Sequence, residues 1–369
     1  MIATPRLSIG LPVFNGESFI AESLEALLGQ SYTDFELIIS DNASTDDTGD
    51  ICQKYAKDDS RIRYHRHPQN IGLAPNHNFV VQEARGELFK WAANDDLYAR
   101  TLLERCVAAL DEYPDVVLAH SWTAKIDSAG DVTKAFEYPM LTASPSAPVR
   151  FRSILFDGGG DDDYGVMRIE VLRRTAMKGS YHHADRTIIA ELGLHGRFYQ
   201  VPEWLYFRRM HPAQNGWTPM RQRCSIMDPR RADRLRHPAL RLYGEYVWAY
   251  IDAIQRAPLS LGDRLKCYQY LTQWFSSRAF LDRSEPTEPD SIDPLPTILV
   301  NKVVARGGTR LSRLRGGAPG AVISAAGGGG GVAVLAGLRG RGQPGVTAGP
   351  WLPRPRLRSA GSRASMAAR

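Results

Sequence analysis

The feature that most constrains this chain is how its apolar runs end. Phe35–Ile39 passes directly into Ser40-Asp41-Asn42-Ala43-Ser44-Thr45-Asp46-Asp47-Thr48, a cluster of carboxylates, a carboxamide and hydroxyls. A parallel strand that stops at a ligand crevice reads this way, with Asp or Ser capping the next helix. Two more polar strand ends follow, near Asn70 and at Asn94-Asp95-Asp96. One such turn constrains little. Three on one sheet edge make a site.

Taken in order, Leu7–Phe14 reads as a buried strand with Pro12 at its carboxyl end, since proline cannot donate to a ladder. Ile20, Leu24, Leu27 and Leu28 repeat at helical spacing. Strand 35–39, helix 46–56, strand 62–65, helix 75–84, strand 88–92, helix 98–112 and strand 116–121 follow. This alternation predicts a mostly parallel α/β sheet with helices on both faces. Beyond it the pattern loosens: a turn at 127–131 between short strands, a loop at 144–148, and a strand at 164–169. A helix at 183–194, short strands at 198–201 and 204–208, and a helix pair at about 239–256 and 260–281 complete the ordered pattern. The expected organisation is a nucleotide-binding half over 1–121, an acceptor half over 122–215, a helical appendage over 216–295 and a disordered tail over 296–369.

The net charge of +6 conceals two different regions. Residues 301–369 hold one Lys, eleven Arg and no Asp or Glu, together with 16 of the 33 glycines. Such a composition cannot bury enough apolar surface to order itself. The preceding 300 residues are therefore negative by about six charges, which argues against a nucleic-acid partner. Cys52, Cys106, Cys224 and Cys267 are widely spaced, without zinc-ribbon spacing, and read as reduced core thiols of a cytoplasmic protein. The amino terminus runs into the first strand without a signal pattern, and no clean apolar run of spanning length occurs.

Asp95-Asp96 follows an apolar strand and precedes a helix. Adjacent carboxylates at a sheet edge fit a divalent cation that also binds substrate phosphates, or simply a helix N-terminus with an acidic first turn. Phe14 and Asn42 can stack on and pair with a nucleobase edge, with Asn15 beside them; an ordinary Asx-turn is the bland alternative. Asn70 and Gly72 allow backbone to approach ribose or phosphates. Asp161-Asp162-Asp163, after three glycines, reads as a solvated loop.

The stretches "SIGLPVFNGESFIAESLEALLGQSYTDFELIISDNASTDDT", "NIGLAPNHNF" and "ARGELFKWAANDDLY" resemble glycosyltransferase family 2 of the GT-A fold, over residues 7 to about 121. The resemblance implies a nucleotide-diphospho-sugar donor, Mg²⁺ or Mn²⁺, and transfer with inversion to a hydroxyl acceptor in polysaccharide, lipopolysaccharide or glycolipid synthesis. Carried over, Pro12, Phe14 and Asn42 fall at base-binding positions. Asp96 falls on the principal metal ligand, with Asp95 beside it. Asn42 stands where many members have Asp, and Asn94 where many have a first carboxylate. In the acceptor half, "HHADRTIIAELGLHGRFYQVPEWLYFRRMHP" looks like the segment that supplies the catalytic base, which puts Asp185 in that role and Glu191 behind it. Arg208 and Arg209 are placed to brace the diphosphate, and His211 to approach the metal or the diphosphate, with a purely structural histidine as the bland alternative.

Arg221, Arg223, Arg230, Arg231, Arg234, Arg236 and Arg241 precede two aromatic-rich helices. Three readings stay open for this segment: an acceptor platform, a peripheral contact with anionic lipid at the inner membrane face, or a solvated basic surface. Two other functions compete. A sugar-1-phosphate nucleotidyltransferase would need a glycine-rich loop after the first strand, where this chain has Asn15-Gly16-Glu17. A non-catalytic nucleotide-sugar-binding protein would share the donor residues without the base.

Overall fold

In the computed structural model, which describes residues 4–138, 140–157, 162–212 and 219–280, the polar strand ends fall on one edge of a single sheet. The first half alternates β1 (Leu7–Val13), α1 (Ile20–Leu28), β2 (Phe35–Asp41), α2 (Thr48–Asp58), β3 (Ile62–Arg66), α3 (Leu73–Gln82) and β4 (Leu88–Trp91). A two-residue β5 (Leu97–Tyr98) then precedes α4 (Leu102–Glu112). There follow β6 (Val116–Ile126), β7 (Val132–Phe136), α5 (Ala147–Phe156), β8 (Val166–Arg168), α6 (Ile169–Leu172), α7 (Ala184–His195) and β9 (Arg197–Arg209). The helices α8 (Met220–Met227), α9 (Ala239–Arg256) and α10 (Leu261–Phe280) close the described chain.

The strand order is β3-β2-β1-β4-β8-β6-β9-β5, with β7 paired outside β6. Parallel pairings join β1 to β2 and β4, β2 to β3, and β6 to β9; β8, β5 and β7 run against their neighbours. Six strands therefore point one way, and the sheet is mostly parallel. Both β1 and β2 are buried at every position because neighbours flank them and helices cover both faces. On one face Leu24 and Leu27 of α1, Cys52 of α2 and Leu103, Cys106 and Leu110 of α4 form the core. On the other, Val80 of α3, Phe151 of α5 and Ile188 and Leu192 of α7 pack with Tyr250, Ile254 and Trp274 of the α9–α10 pair. No helix among the described residues is long and apolar enough to cross a membrane.

Several local expectations are revised. Helix α5 begins where a loop was expected: Pro148 lies in its first turn, where a missing N–H costs nothing. The helix expected from residue 98 starts at Leu102, because Leu97 and Tyr98 pair with Phe207 and Tyr206 of β9. The two strands expected at 198–208 are one strand, which bulges at Pro202 where the register on β6 shifts around Trp122. Asp162 and Asp163 are buried, at 1% and 9% exposure, rather than solvated. Helix α8 was not anticipated at all. The expected tail over 296–369 lies outside the described residues.

Candidate active site

Three strand ends meet through short polar contacts. Asn42 N–H donates to the Val13 carbonyl at 2.8 Å, joining the ends of β2 and β1. Asn15, held at φ 51°, donates its N–H to Ser44 Oγ at 3.0 Å, and its Oδ1 accepts from Thr45 N–H at 2.9 Å. The third end closes against the first at Gly16, where a Cβ would lie 2.3 Å from Asn94 Nδ2. Phe14, Asn42 and Asp95-Asp96 thus share one rim.

The two aspartates differ in what surrounds them. Asp96 is 3% exposed; its Oδ2 accepts from the Tyr206 hydroxyl and its Oδ1 from Arg209 N–H at 2.8 Å. Both oxygens are engaged with β9, which anchors Asp96 at the rim, and each keeps a second lone pair beyond the contact it makes. Asp95 lies nearer the surface: its Oδ2 is 3.0 Å from His211 Nε2, with the two side chains 20% and 13% exposed. Arg209 explains why His211 arrives there. Its guanidinium is fully buried, donates to the Asp95 carbonyl at 2.7 Å and to Glu22 Oε2 at 2.9 Å, and lies 4.5 Å from the Phe19 ring. Phe19 in turn packs on the His211 ring, with centroids 4.9 Å apart. Arg209 is therefore a buried brace of the rim rather than a diphosphate contact, whereas its neighbour Arg208 is exposed. Among the described residues no group of three His, Cys, Asp or Glu side chains converges as a metal cage. Asp95 and His211 would supply one oxygen and one nitrogen donor, a set that suits Mn²⁺ when phosphate oxygens and water complete the shell, and Mg²⁺ through the carboxylate alone.

On the nucleotide side, Pro12 is buried within β1 and Phe14 is 47% exposed beyond its end. Asp41 is fully buried and accepts from Tyr64 Oη at 2.7 Å, Arg66 Nη1 at 2.8 Å and Ser44 N–H at 2.8 Å. Asn42 uses its carboxamide to hold the next loop: its Oδ1 accepts from Ile71 N–H at 2.8 Å and its Nδ2 donates to Asn70 Oδ1 at 3.0 Å. Gly72 has φ 97°, and a Cβ there would sit 2.5 Å from the Met227 carbonyl. The close approach that this glycine permits is to the end of α8.

Asp185 lies in the first turn of α7, preceded by His183 at φ 57°, at an exposed position whose carboxyl is nonetheless crowded by the surrounding protein. Desolvation pushes its pKa up, but Lys178, His183 and Arg186 outweigh this and hold Asp185 below the usual carboxylate range. Glu191, further along α7, is 3% exposed and accepts from Ala176 N–H at 3.1 Å and Arg256 Nε at 2.8 Å, a structural role. Sequence reasoning missed Lys178, which connects the base region to the sheet. Its ammonium is 3.0 Å from Asp163 Oδ2 and 4.9 Å from the Trp91 ring at the end of β4. It also missed Tyr206 and Tyr164, whose stacked rings stand beneath Asp96. No local signal marks these residues, because each acts across a long sequence separation.

The family model described as Glycosyl transferase family 2 matches residues 8–164. Putative glycosyltransferase EpsE of Bacillus subtilis is 37% identical over 114 residues, 31% of this chain and 41% of that protein. The GalNAc(5)-diNAcBac-PP-undecaprenol beta-1,3-glucosyltransferase of Campylobacter jejuni is 25% identical over 198 residues, 53% of this chain and 62% of that protein. The chain thus spans less than two thirds of the curated relatives it matches. Among solved structures, S. aureus TarS 1–349 in complex with UDP superposes with a TM-score of 0.54 at 18% identity, covering 75% of this chain and 73% of that one. That likeness is one of fold. Residues 8–164 thus match glycosyltransferase family 2, on a fold of the GT-A type.

Proposed function

We propose that this protein is an inverting glycosyltransferase that moves a sugar from a nucleotide-diphosphate donor to a hydroxyl of a carbohydrate or lipid-linked acceptor. The observation that carries the reading is the Asp95–His211 pair, set at 3.0 Å on the rim that also bears Phe14 and Asn42. Phe14 offers its half-exposed ring to the base. Pro12 and Asn15 shape the floor of the base pocket, while Asn42 holds Asn70 and Gly72 as its wall. Asp95 and His211 would hold the cation, and Asp96 fixes the loop that presents Asp95. Mg²⁺ or Mn²⁺ bound there supplies charge neutralisation to the departing diphosphate. Exposed Arg208 adds a second positive charge on that side. Asp185, ionised at neutral pH, accepts the proton of the attacking hydroxyl. The name of the Campylobacter relative supports a polyprenyl-diphosphate-linked acceptor.

The test is a thermal-shift screen of UDP, GDP and their sugars with and without Mn²⁺, followed by transfer of labelled sugar to lipid-linked and free acceptors. A donor raises the melting temperature by mass action, and the increment depends on Mn²⁺. If no nucleotide diphosphate stabilises the protein under either condition, the reading fails. Pyrophosphate release from a nucleoside triphosphate and a sugar phosphate would instead favour the nucleotidyltransferase alternative. Donor binding without transfer or hydrolysis would favour a sensor.

A further inference from the structure

We propose that the 229–248 segment is a membrane-docking surface that inserts two leucines into a bilayer rich in anionic lipid. It rests on the preceding reading only for its purpose, delivery of a lipid-linked acceptor; the contact itself is independent of catalysis. Leu235 and Leu240 are 95% and 85% exposed, far beyond what surface leucines need to be, and Tyr243 and Trp248 are 52% and 60% exposed. Leu240, Tyr243, Gly244 and Trp248 fall on one face of α9 by helical spacing. Among the described residues nothing crowds that face at Gly244: a Cβ added there meets nothing within 4 Å. Aromatic rings beside protruding aliphatics are the composition of an interfacial helix.

Charge selects the occupant. Residues 219–248 hold seven arginines against three acidic residues. Arg230 and Arg236 pair with Asp228 and Asp233, yet both guanidinium side chains remain 84% exposed around the Leu235 tip. A second copy of this chain would bring the same positive surface face to face. The carboxyl-terminal segment, with eleven Arg, one Lys and no acid over 301–369, would be repelled in the same way. An anionic bilayer accepts both the arginines, at its headgroups, and the leucines, in its apolar interior. A groove of about 580 Å³ opens along the same face between Trp248, Arg231 and Arg241 on one side and Tyr181 on the other. Tyr181 lies four residues before Asp185, so a chain docked here would present its base region towards the lipid surface.

The full chain carrying Leu235→Cys, labelled with a polarity-sensitive fluorophore, is mixed with phosphatidylcholine vesicles with or without phosphatidylglycerol. The four native cysteines are buried and stay unlabelled. The expected result is flotation with anionic vesicles, a blue shift at position 235, and loss of both in high salt. A control label at Lys54→Cys, an exposed position of α2, remains in water. In the otherwise unlabelled chain, Leu235→Ser with Leu240→Ser weakens vesicle binding about tenfold or more, and Arg230→Gln with Arg236→Gln does so only on anionic vesicles. Flotation without a shift at 235 would mean capture by the basic carboxyl terminus and would overturn the proposal. Equal shifts on neutral vesicles, or no flotation at all, would overturn it too. No sugar nucleotide enters the assay, so its outcome is separate from that of the transfer test.

Discussion

His211 Nε2 lies 3.0 Å from Asp95 Oδ2, although the two residues are 116 positions apart. The pair is assembled by the end of β9 passing the end of β4, with Arg209 and Phe19 fixing the imidazole. Replacing Asp95 or His211 by Ala is expected to remove the Mn²⁺-dependent part of the donor-induced melting shift while leaving the ligand-free melting temperature close to its starting value. At a donor concentration of a hundred times Kd, that stabilisation is about 2.7 kcal/mol. Thermal shift with nucleotide diphosphate, with and without Mn²⁺, checks it.

Asp96 behaves differently because its oxygens are already bound. Tyr206→Phe removes one donor and leaves a buried carboxylate oxygen short of a partner, which costs about 1–3 kcal/mol. Chemical denaturation is expected to show this loss without any donor present. A variant as stable as the parent would mean that the Tyr206 contact does not hold Asp96.

Asp185→Asn is expected to abolish sugar transfer while leaving donor binding intact, since the base contacts the acceptor and not the nucleotide. Because Lys178, His183 and Arg186 hold the Asp185 pKa below its ordinary value, the acid limb of the pH–rate profile lies below the usual carboxylate range. Single-turnover rates across pH, alongside donor binding by calorimetry, separate the two roles. Normal turnover in the Asn variant would remove Asp185 from catalysis.

How far the sequence could be read followed from how local each signal was. Strands β1, β2 and β4 were legible because an apolar run that breaks into Asn, Asp and Ser is a contiguous pattern, and so were α7 with Asp185 and the α9–α10 pair. Asp95 and Asp96 could not be told apart locally: adjacent carboxylates look alike until Tyr206 and Arg209, more than a hundred positions away, take one of them. The same distance hid Asn42's hold on the 70–72 loop. Asp162 and Asp163 were misread because three preceding glycines suggested solvent, while the cation that draws Asp163 inward, Lys178, comes fifteen residues later. Helix α5 was lost to Pro148 in its first turn, since a proline marks a helix start as readily as a loop.

Lys178 and Asp163 form a pair that is nearly closed to solvent. Lys178→Met strands the Asp163 carboxylate and is expected to cost about 3–5 kcal/mol, as breaking buried pairs does. Combining it with Asp163→Leu removes both charges and should recover much of the loss. Denaturation midpoints for the two single variants and the double variant measure the coupling, and additive effects would show that the pair is not a unit.

His182 gives the last expectation, and its sign follows from burial. Desolvation, with His183 and Arg223 adding to it, lowers its pKa from 6.5 to about 4, and its buried Nδ1 has no hydrogen-bond partner among the described residues. The ring packs instead against Tyr243 and Tyr246. As pH falls below 6.5 the unfolded chain takes up a proton at this position that the folded chain refuses until about pH 4. Stability therefore declines through that window, by up to about 3 kcal/mol from this residue alone, and levels off below it. His182→Phe keeps the ring packing without the titration. Its melting temperature is expected to match the parent near pH 7 and to exceed it increasingly towards pH 4; parallel melting curves for the two proteins across that range would place the acid sensitivity elsewhere.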